Sequence, residues 1–97
     1  MAAYDVIVVG GGIVGASAAY HAARAGARAL LIDRADTGRA TAAGAGIIAP
    51  EASKVESDAW FAFALRAVDY YPELVKQLRA DGAGDTGYAP TNELIVA

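Results

Sequence analysis

Three glycines and one acid carry the clearest chemical signal in this sequence. Gly10, Gly12 and Gly15 have G-x-G-x-x-G spacing and follow a short apolar run. In this pattern the first glycine allows a tight turn, the second lets the backbone approach a pyrophosphate, and the third lets a helix pack closely. Asp33 ends the next apolar run, where a carboxylate can accept from ribose hydroxyls. The pattern predicts a dinucleotide-binding turn whose helix amides face the phosphates.

The glycine spacing alone is weak evidence, because an ordinary strand–turn–helix also uses glycine. The strand before it, the helix after it, the second strand and Asp33 together favour a dinucleotide. The negative charge of Asp33 would oppose the 2′-phosphate of NADP, although Arg34 follows it directly. NAD and FAD both stay open on these residues.

The elements that position these residues form a predicted β-α-β unit over residues 1–34. Strands Tyr4–Val9 and Arg28–Ile32 flank a helix over residues 13–25, and Gly26 is expected at its C′ position. Such a unit predicts an α/β fold, the N-terminal part of a Rossmann-like FAD/NAD(P)-binding domain.

Residues 35–52 are predicted to form a loop or an extended segment. The segment is rich in Ala, Gly and Thr and has no charged residue between Arg39 and Glu51, so it is less polar than an ordinary surface linker. We expect it to lie against a flat ligand or deep in the protein.

A long helix is predicted over residues 57–81, with Ser57 as its N-cap and a kink at Pro72. Core packing explains its aromatic residues better than a ligand cage does. Glu93–Ala97 is predicted as a short strand. The helix's expected core stripe, spaced by threes and fours, is Trp60, Ala64, Val68, Tyr71, Val75 and Leu78.

Composition limits the classes of function. The chain of 97 residues is 56% hydrophobic with a net charge of −3, which favours a packed domain and gives no basic surface for nucleic acid. It has no cysteine, so a disulfide, a thiolate metal site and a cysteinyl flavin link are excluded within it. Val6–Ala23 has no charge, but its glycines disfavour a membrane helix, and Asp5 argues against a signal peptide. We expect a cytoplasmic protein without a transmembrane segment.

Four blocks resemble the flavin-dependent D-amino acid oxidase superfamily, which includes glycine and sarcosine oxidases. The first is D-V-I-V-V-G-G-G-I-V-G-A-S-A-A-Y-H, followed by L-L-I-D-R. The second is T-A-A-G-A-G-I-I-A-P-E from Thr41 to Glu51, and the third is Y-Y-P-E-L-V-K-Q-L from Tyr70 to Leu78. The fourth is G-Y-A-P-T-N-E-L-I-V-A at residues 87–97. Many NAD and FAD enzymes share the first block, whereas the second and third in this order are more specific.

The resemblance implies FAD as the cofactor. Some relatives attach FAD through a histidine just before the A-A-G segment, but Thr41 stands there in this chain, so non-covalent FAD is expected. The glycine motif with Ile13 and Val14 would surround the pyrophosphate, and Asp33 would bind the adenosine ribose with Arg34 beside it. Residues 41–43 would reach the pyrophosphate and the ribityl chain, and residues 45–47 would border the isoalloxazine ring. The implied cofactor-binding residues are Gly10, Gly12, Ile13, Val14, Gly15, Asp33, Arg34, Thr41, Ala42, Ala43, Ala45, Gly46 and Ile47.

The resemblance also implies oxidation of the CH–NH group of an amino acid or secondary amine, by an oxidase or a dehydrogenase. The imine would hydrolyse to an oxo acid and ammonia. The expected partners are this small substrate and further copies of the chain in an oligomer; no catalytic side chain or metal ligand is assigned. Similar proteins are several times longer, so the chain reads as an N-terminal piece, with residues 87–97 beginning the strands of a substrate domain.

Two other functions stay open. An NAD-dependent dehydrogenase explains the glycines and Asp33 but gives no purpose to the apolar loop Thr41–Pro50, and a flavin absorbance spectrum would separate the two. A truncated, non-catalytic nucleotide-binding chain is the other, and a reading frame continuing beyond Ala97 would argue against it. Residues 1–97 alone are expected to bind FAD weakly and to oxidise no amino acid.

Overall fold

The computed structural model describes residues 3–53, 57–92, 94 and 96, and the chain divides into two compact units, Met1–Gly46 and Ile47–Ala97. None of the helices in this described part is long and apolar enough to cross a membrane. The elements in chain order are β1 (Val6–Val9), α1 (Ile13–Arg24), β2 (Ala29–Ile32), α2 (Ala40–Ala43), a 3₁₀ turn (Pro50–Ala52) and α3 (Asp58–Ala80).

The first unit is built on two parallel strands joined by a helix. β1 pairs with β2 in register, from Val6 opposite Ala29 to Val9 opposite Ile32. Parallel strands need a crossover connection, and α1 supplies it. This arrangement is the β-α-β start of a Rossmann-like domain, which confirms the predicted α/β class.

Asp5 and Arg28 fasten the start of this sheet. The Asp5 N–H donates to the Arg28 carbonyl at 2.9 Å, and the Arg28 N–H donates to the Asp5 carboxylate at 2.8 Å. The Arg28 backbone N–H, and then its side chain, hold the pKa of Asp5 below the ordinary value of 3.8. Because a side chain takes the Arg28 amide, the strands begin at Val6 and Ala29, later than the predicted Tyr4 and Arg28.

Both long helices end at a glycine with positive φ. Gly26 has φ of +90°, its N–H donates to the Ala23 carbonyl at 3.0 Å, and the Ala27 N–H donates to the Ala22 carbonyl at 3.0 Å. This pair of bonds is a Schellman motif, which satisfies carbonyls left open at a helix C-terminus. Gly26 therefore occupies the predicted C′ position, and Gly82 closes α3 in the same way.

Residues 35–52 are not the unbroken loop that their composition suggested. α2 forms one short turn of helix within the alanine-rich part, and Pro50 begins the 3₁₀ turn. Alanine has the highest helix propensity, and proline suits the first position of a helical turn because its φ is already fixed. The same residues that make the segment apolar therefore also favour short helical turns.

The helix α3 dominates the second unit. The Ser57 hydroxyl accepts from the Trp60 N–H at 3.3 Å and caps the helix, which continues through Pro72. Among the described residues only Val75, at 6% exposure, is fully buried. Trp60 is 39% exposed, so its assignment to the core was wrong. It lies in the first turn of α3, ahead of the half-buried part of the stripe.

The chain after α3 is irregular over residues 83–92. Tyr88 stacks on Tyr71 of α3, with ring centroids 5.9 Å apart, and this contact fastens the segment to the helix. The predicted strand Glu93–Ala97 includes Glu93, Ile95 and Ala97, which lie outside the described residues.

Candidate dinucleotide site

The glycine motif forms the turn between β1 and α1. Gly10 has φ of +107°, a conformation that favours glycine, and its N–H donates to the Ile32 carbonyl at 2.7 Å. A Cβ on Gly15 would lie 1.8 Å from the Gly10 carbonyl oxygen, so only glycine lets α1 start this close to the turn. The turn follows the carboxyl end of β1, where parallel-sheet folds bind their ligands.

Most of the predicted site residues line one of two clefts around this turn. The first has a volume of about 530 Å³, and its predicted members are Gly10, Gly12, Asp33 and Arg34. The second has a volume of about 430 Å³, and its predicted members are Gly10, Gly12, Ile13, Val14, Gly15 and Thr41. Because Gly10 and Gly12 line both clefts, the turn is the surface that the two share.

The start of α1 offers amide donors beside the turn. Gly12 is the N-cap and has no side chain to cap the helix, while the Ile13 N–H donates to Thr41 Oγ1 at 2.9 Å. Within the described residues, no group accepts from the N–H groups of Val14 and Gly15. The first amides of a helix lack intrahelical partners and lie at the positive end of its dipole. This end of α1 can therefore bind a phosphate.

Asp33 is held just after β2 by three donors. Its Oδ1 accepts from the Gly11 N–H at 3.0 Å, and its Oδ2 accepts from the Ala35 N–H at 3.1 Å. The Arg39 guanidinium also pairs with Oδ2. The Gly11 N–H, followed by Ala35 and Arg39, lowers the pKa of Asp33 below the ordinary value of 3.8 against an opposing effect of desolvation. The carboxylate is therefore ionised at neutral pH.

Sequence reasoning missed Arg39 of this cleft, and it also missed Gly11, whose N–H donates to Asp33. In the sequence, the only indication of a role for Arg39 was its positive charge at the end of the short segment that follows Asp33. Arg34, which the sequence did indicate, pairs with Asp36 at 2.7 Å, and its side chain is 86% exposed. All four of these charged residues line the first cleft. The positive charges of Arg34 and Arg39 therefore balance the negative charges of Asp33 and Asp36 in this cleft, which weakens the argument against NADP from the charge of Asp33.

The other predicted residues lie on or after α2. Ala42 and Ala43 are exposed on that helix, and Ala45 and Gly46 follow it. None of them lines either of the two clefts. Ile47 belongs to the second unit. The flavin-ring contacts of Ala45, Gly46 and Ile47 stay predictions.

No metal-binding chemistry accompanies the site in the described part of the chain. Residues 3–53, 57–92, 94 and 96 contain no group of three or more His, Asp or Glu side chains that could hold a metal ion. His21 bonds within its own helix, where its Nδ1 lies 2.7 Å from the Ser17 carbonyl oxygen.

These residues fit a dinucleotide cofactor. A pyrophosphate needs amide donors and a close backbone approach, which Gly12 and the Val14 and Gly15 N–H groups provide. A ribose needs an acceptor for its hydroxyls, and Asp33 provides one beside the same turn. A pyrophosphate and an adenosine ribose are common to NAD and FAD, so the choice between the two cofactors comes from the family.

The family is shown by comparison with known proteins. A family model described as DAO, FAD dependent oxidoreductase, matches residues 5–97. The chain belongs to this family of FAD-dependent oxidoreductases. The match confirms the predicted resemblance and the predicted cofactor, FAD.

Individual relatives agree with this membership. The chain is 49% identical over 82 residues to an uncharacterized oxidoreductase, YurR, of Bacillus subtilis (strain 168), covering 84% of this chain and 22% of the relative. It is 38% identical over 77 residues to a glycine oxidase of Bacillus licheniformis, covering 78% of this chain and 21% of the relative. The crystal structure of iminodiacetate oxidase from Chelativorans sp. BNC1 matches with a TM-score of 0.72 and 44% identity, over 79% of this chain and 21% of that one. The chain thus spans about a fifth of the length of these relatives.

Proposed function

We propose that these residues hold the adenosine and pyrophosphate of FAD in an oxidoreductase that acts on the CH–NH group of amino acids or secondary amines. One observation carries the proposal: the glycine turn and the ionised Asp33 lie side by side in a chain whose family is FAD-dependent. FAD, when bound, supplies the two-electron oxidation, and the described residues bind and orient it.

Each part of the cleft has its own role in this proposal. The pyrophosphate binds the start of α1, at Gly10, Gly12, Ile13, Val14 and Gly15. The adenosine ribose binds Asp33, with Arg34 beside it. The remaining proposed contacts come from small residues whose backbone a ligand can approach closely, namely Thr41, Ala42, Ala43, Ala45 and Gly46.

The named relatives narrow the substrate class. One is a glycine oxidase and another is an iminodiacetate oxidase. Glycine and iminodiacetate share an amine nitrogen bonded to a CH₂ group that carries a carboxylate. We infer small amino or imino acids of this kind as the substrates of the full-length protein.

The test begins with the visible spectrum of the purified full-length protein. We expect a flavin spectrum, and FAD should be released into the supernatant on heat denaturation because the link is non-covalent. Glycine, sarcosine, iminodiacetate and D-alanine should then be compared for peroxide formation and for reduction of a dye. Flavin reduction by none of these amines would refute the proposed substrate class.

The Gly12→Val variant tests whether the glycine turn is the site that binds the pyrophosphate of FAD. A Cβ at Gly12 would already lie 2.9 Å from Thr41 Oγ1, and the branched side chain also occupies the space where the pyrophosphate approaches. The variant should purify without FAD. A normal yellow spectrum from this variant would show that the glycine turn is not the pyrophosphate site.

A further inference from the structure

Arg39 joins several parts of the cofactor cleft. Its guanidinium pairs with Oδ2 of Asp33, and its Nε donates to the Asp36 carbonyl at 3.3 Å. Its backbone is the N-cap of α2, the helix that carries Thr41. Thr41 accepts in turn from the Ile13 N–H at the start of α1. Arg39 therefore links the acid at the end of β2 to the segment that reaches the start of α1.

The ion pair leaves the two Asp33 oxygens unequally occupied. A carboxylate has about four acceptor positions, two on each oxygen. Among the residues that the structure describes, Oδ2 receives Ala35 and Arg39, whereas Oδ1 receives only Gly11. Oδ1 therefore keeps one acceptor position for a ligand. The side chains of Arg39 and Asp33 are 32% and 30% exposed, and both line the first cleft, so a ligand there meets the pair.

We propose that Arg39 is a positioning residue for FAD, which holds Oδ2 of Asp33 and the segment of residues 34–39 so that Oδ1 is left to accept from the ribose. This inference rests on the proposed function of the cleft. A positioning role requires Asp33, because Arg39 acts on FAD through that carboxylate. If the guanidinium bound FAD directly, Arg39 would contribute to binding without Asp33.

The experiment measures the FAD dissociation constant of the full-length apoprotein by flavin fluorescence titration. Arg39→Ala should raise it about fivefold, the upper end for a partly exposed ion pair. Arg39→Lys should recover part of the loss, because an ammonium can pair with Asp33 but lacks the planar fork that also reaches the Asp36 carbonyl. Arg66→Ala is the control for loss of an arginine, since Arg66 is exposed on α3 and does not line the cleft; it should leave the dissociation constant unchanged.

A double-mutant cycle separates positioning through Asp33 from direct binding of FAD by the Arg39 guanidinium. In an Asp33→Asn background, Arg39→Ala should change the dissociation constant by less than about twofold, because the charged partner is already lost. An equal loss in both backgrounds would overturn the proposal, and so would tighter FAD binding by Arg39→Ala. If the parent and Arg66→Ala both failed to bind FAD, the proposed function would fail as well. If the parent, Arg66→Ala and Arg39→Ala all bound FAD with the same dissociation constant, the proposed role of Arg39 would fail and the proposed function would stand.

Discussion

Gly15→Ala is the sharpest perturbation of the dinucleotide turn. The new methyl carbon would lie 1.8 Å from the Gly10 carbonyl oxygen and 2.9 Å from its carbon. These are backbone atoms, so no change of rotamer can relieve the clash. Real Cβ contacts are essentially never under 3.0 Å. The start of α1 must therefore move away from the turn by about 1 Å, because packed interiors leave no slack for an added methyl group.

Two opposing effects determine the stability of Gly15→Ala. Alanine improves on glycine in a helix by about 1 kcal/mol, whereas overpacking costs about 1–3 kcal/mol. Since the clash is with the backbone, overpacking should lie in the upper part of its range, about 2–3 kcal/mol, which leaves a net loss of about 1–2 kcal/mol. The shift would also move the α1 amides away from the proposed pyrophosphate position. Losing one hydrogen bond to a charged group weakens FAD binding by at least about tenfold.

The assay compares Gly15→Ala with Gly44→Ala in the full-length protein. FAD titration of the apoprotein gives the affinity, and urea unfolding gives the stability. Gly44 is the control for the added methyl group, because it has φ of −70° and its Cβ would meet the Thr41 carbonyl oxygen at an ordinary 3.4 Å. Gly44→Ala should unfold like the parent. Parental stability and FAD affinity in Gly15→Ala would refute the requirement for close approach of α1 to Gly10.

Further perturbations test the acid, the pH dependence and the exposed surface. Asp33→Ala should weaken FAD binding at least about tenfold in equilibrium titration, because a charged acceptor is lost, and an unchanged dissociation constant would remove Asp33 from the site. In the parent, the stability contributed by Asp5 is present above its ordinary pKa of 3.8 and is lost as pH falls through its lower folded value. Asp5→Asn should therefore flatten the acid side of the unfolding profile, and an unchanged profile would contradict this. Residues 1–97 expressed alone should self-associate in light scattering, because Ile7, Val9 and Val14 are 58%, 81% and 81% exposed; a monomer would argue otherwise.

The β-α-β unit was predictable because each of its parts is encoded locally. The left-handed turn needs a glycine at position 10, the close approach needs one at position 15, and the end of α1 needs one at position 26. Each of these requirements concerns the residue's own backbone or a neighbour a few residues away. The apolar runs on either side of them then identify the strands. The cap at Ser57 was predictable for the same reason.

The pairing of Asp33 with Arg39 was not predictable, because it depends on the path of the chain between them. Ala35 has φ of +57°, an uncommon conformation for a residue with a side chain, and Gly38 has φ of +81°. No periodicity in the sequence encodes these angles. The Ala35 N–H donates to the Asp33 carboxylate at 3.1 Å, and this bond exists only once the segment is folded. Arg39 therefore becomes a site residue only through that fold.

The structure also limits how Asp33 could bind a ribose in the proposed site. The sequence suggested that this carboxylate accepts from ribose hydroxyls, but Gly11, Ala35 and Arg39 already take three of about four acceptor positions on it. One ribose hydroxyl can bind Oδ1 without displacing a protein donor, whereas a second hydroxyl would have to displace one. Part of the loss expected for Asp33→Ala must then come from releasing the Gly11 amide and the segment after β2. In the proposed site the carboxylate would thus both organise the cleft and accept from the ligand, and for that reason Asp33→Asn, which keeps one acceptor oxygen, should lose less FAD affinity than Asp33→Ala.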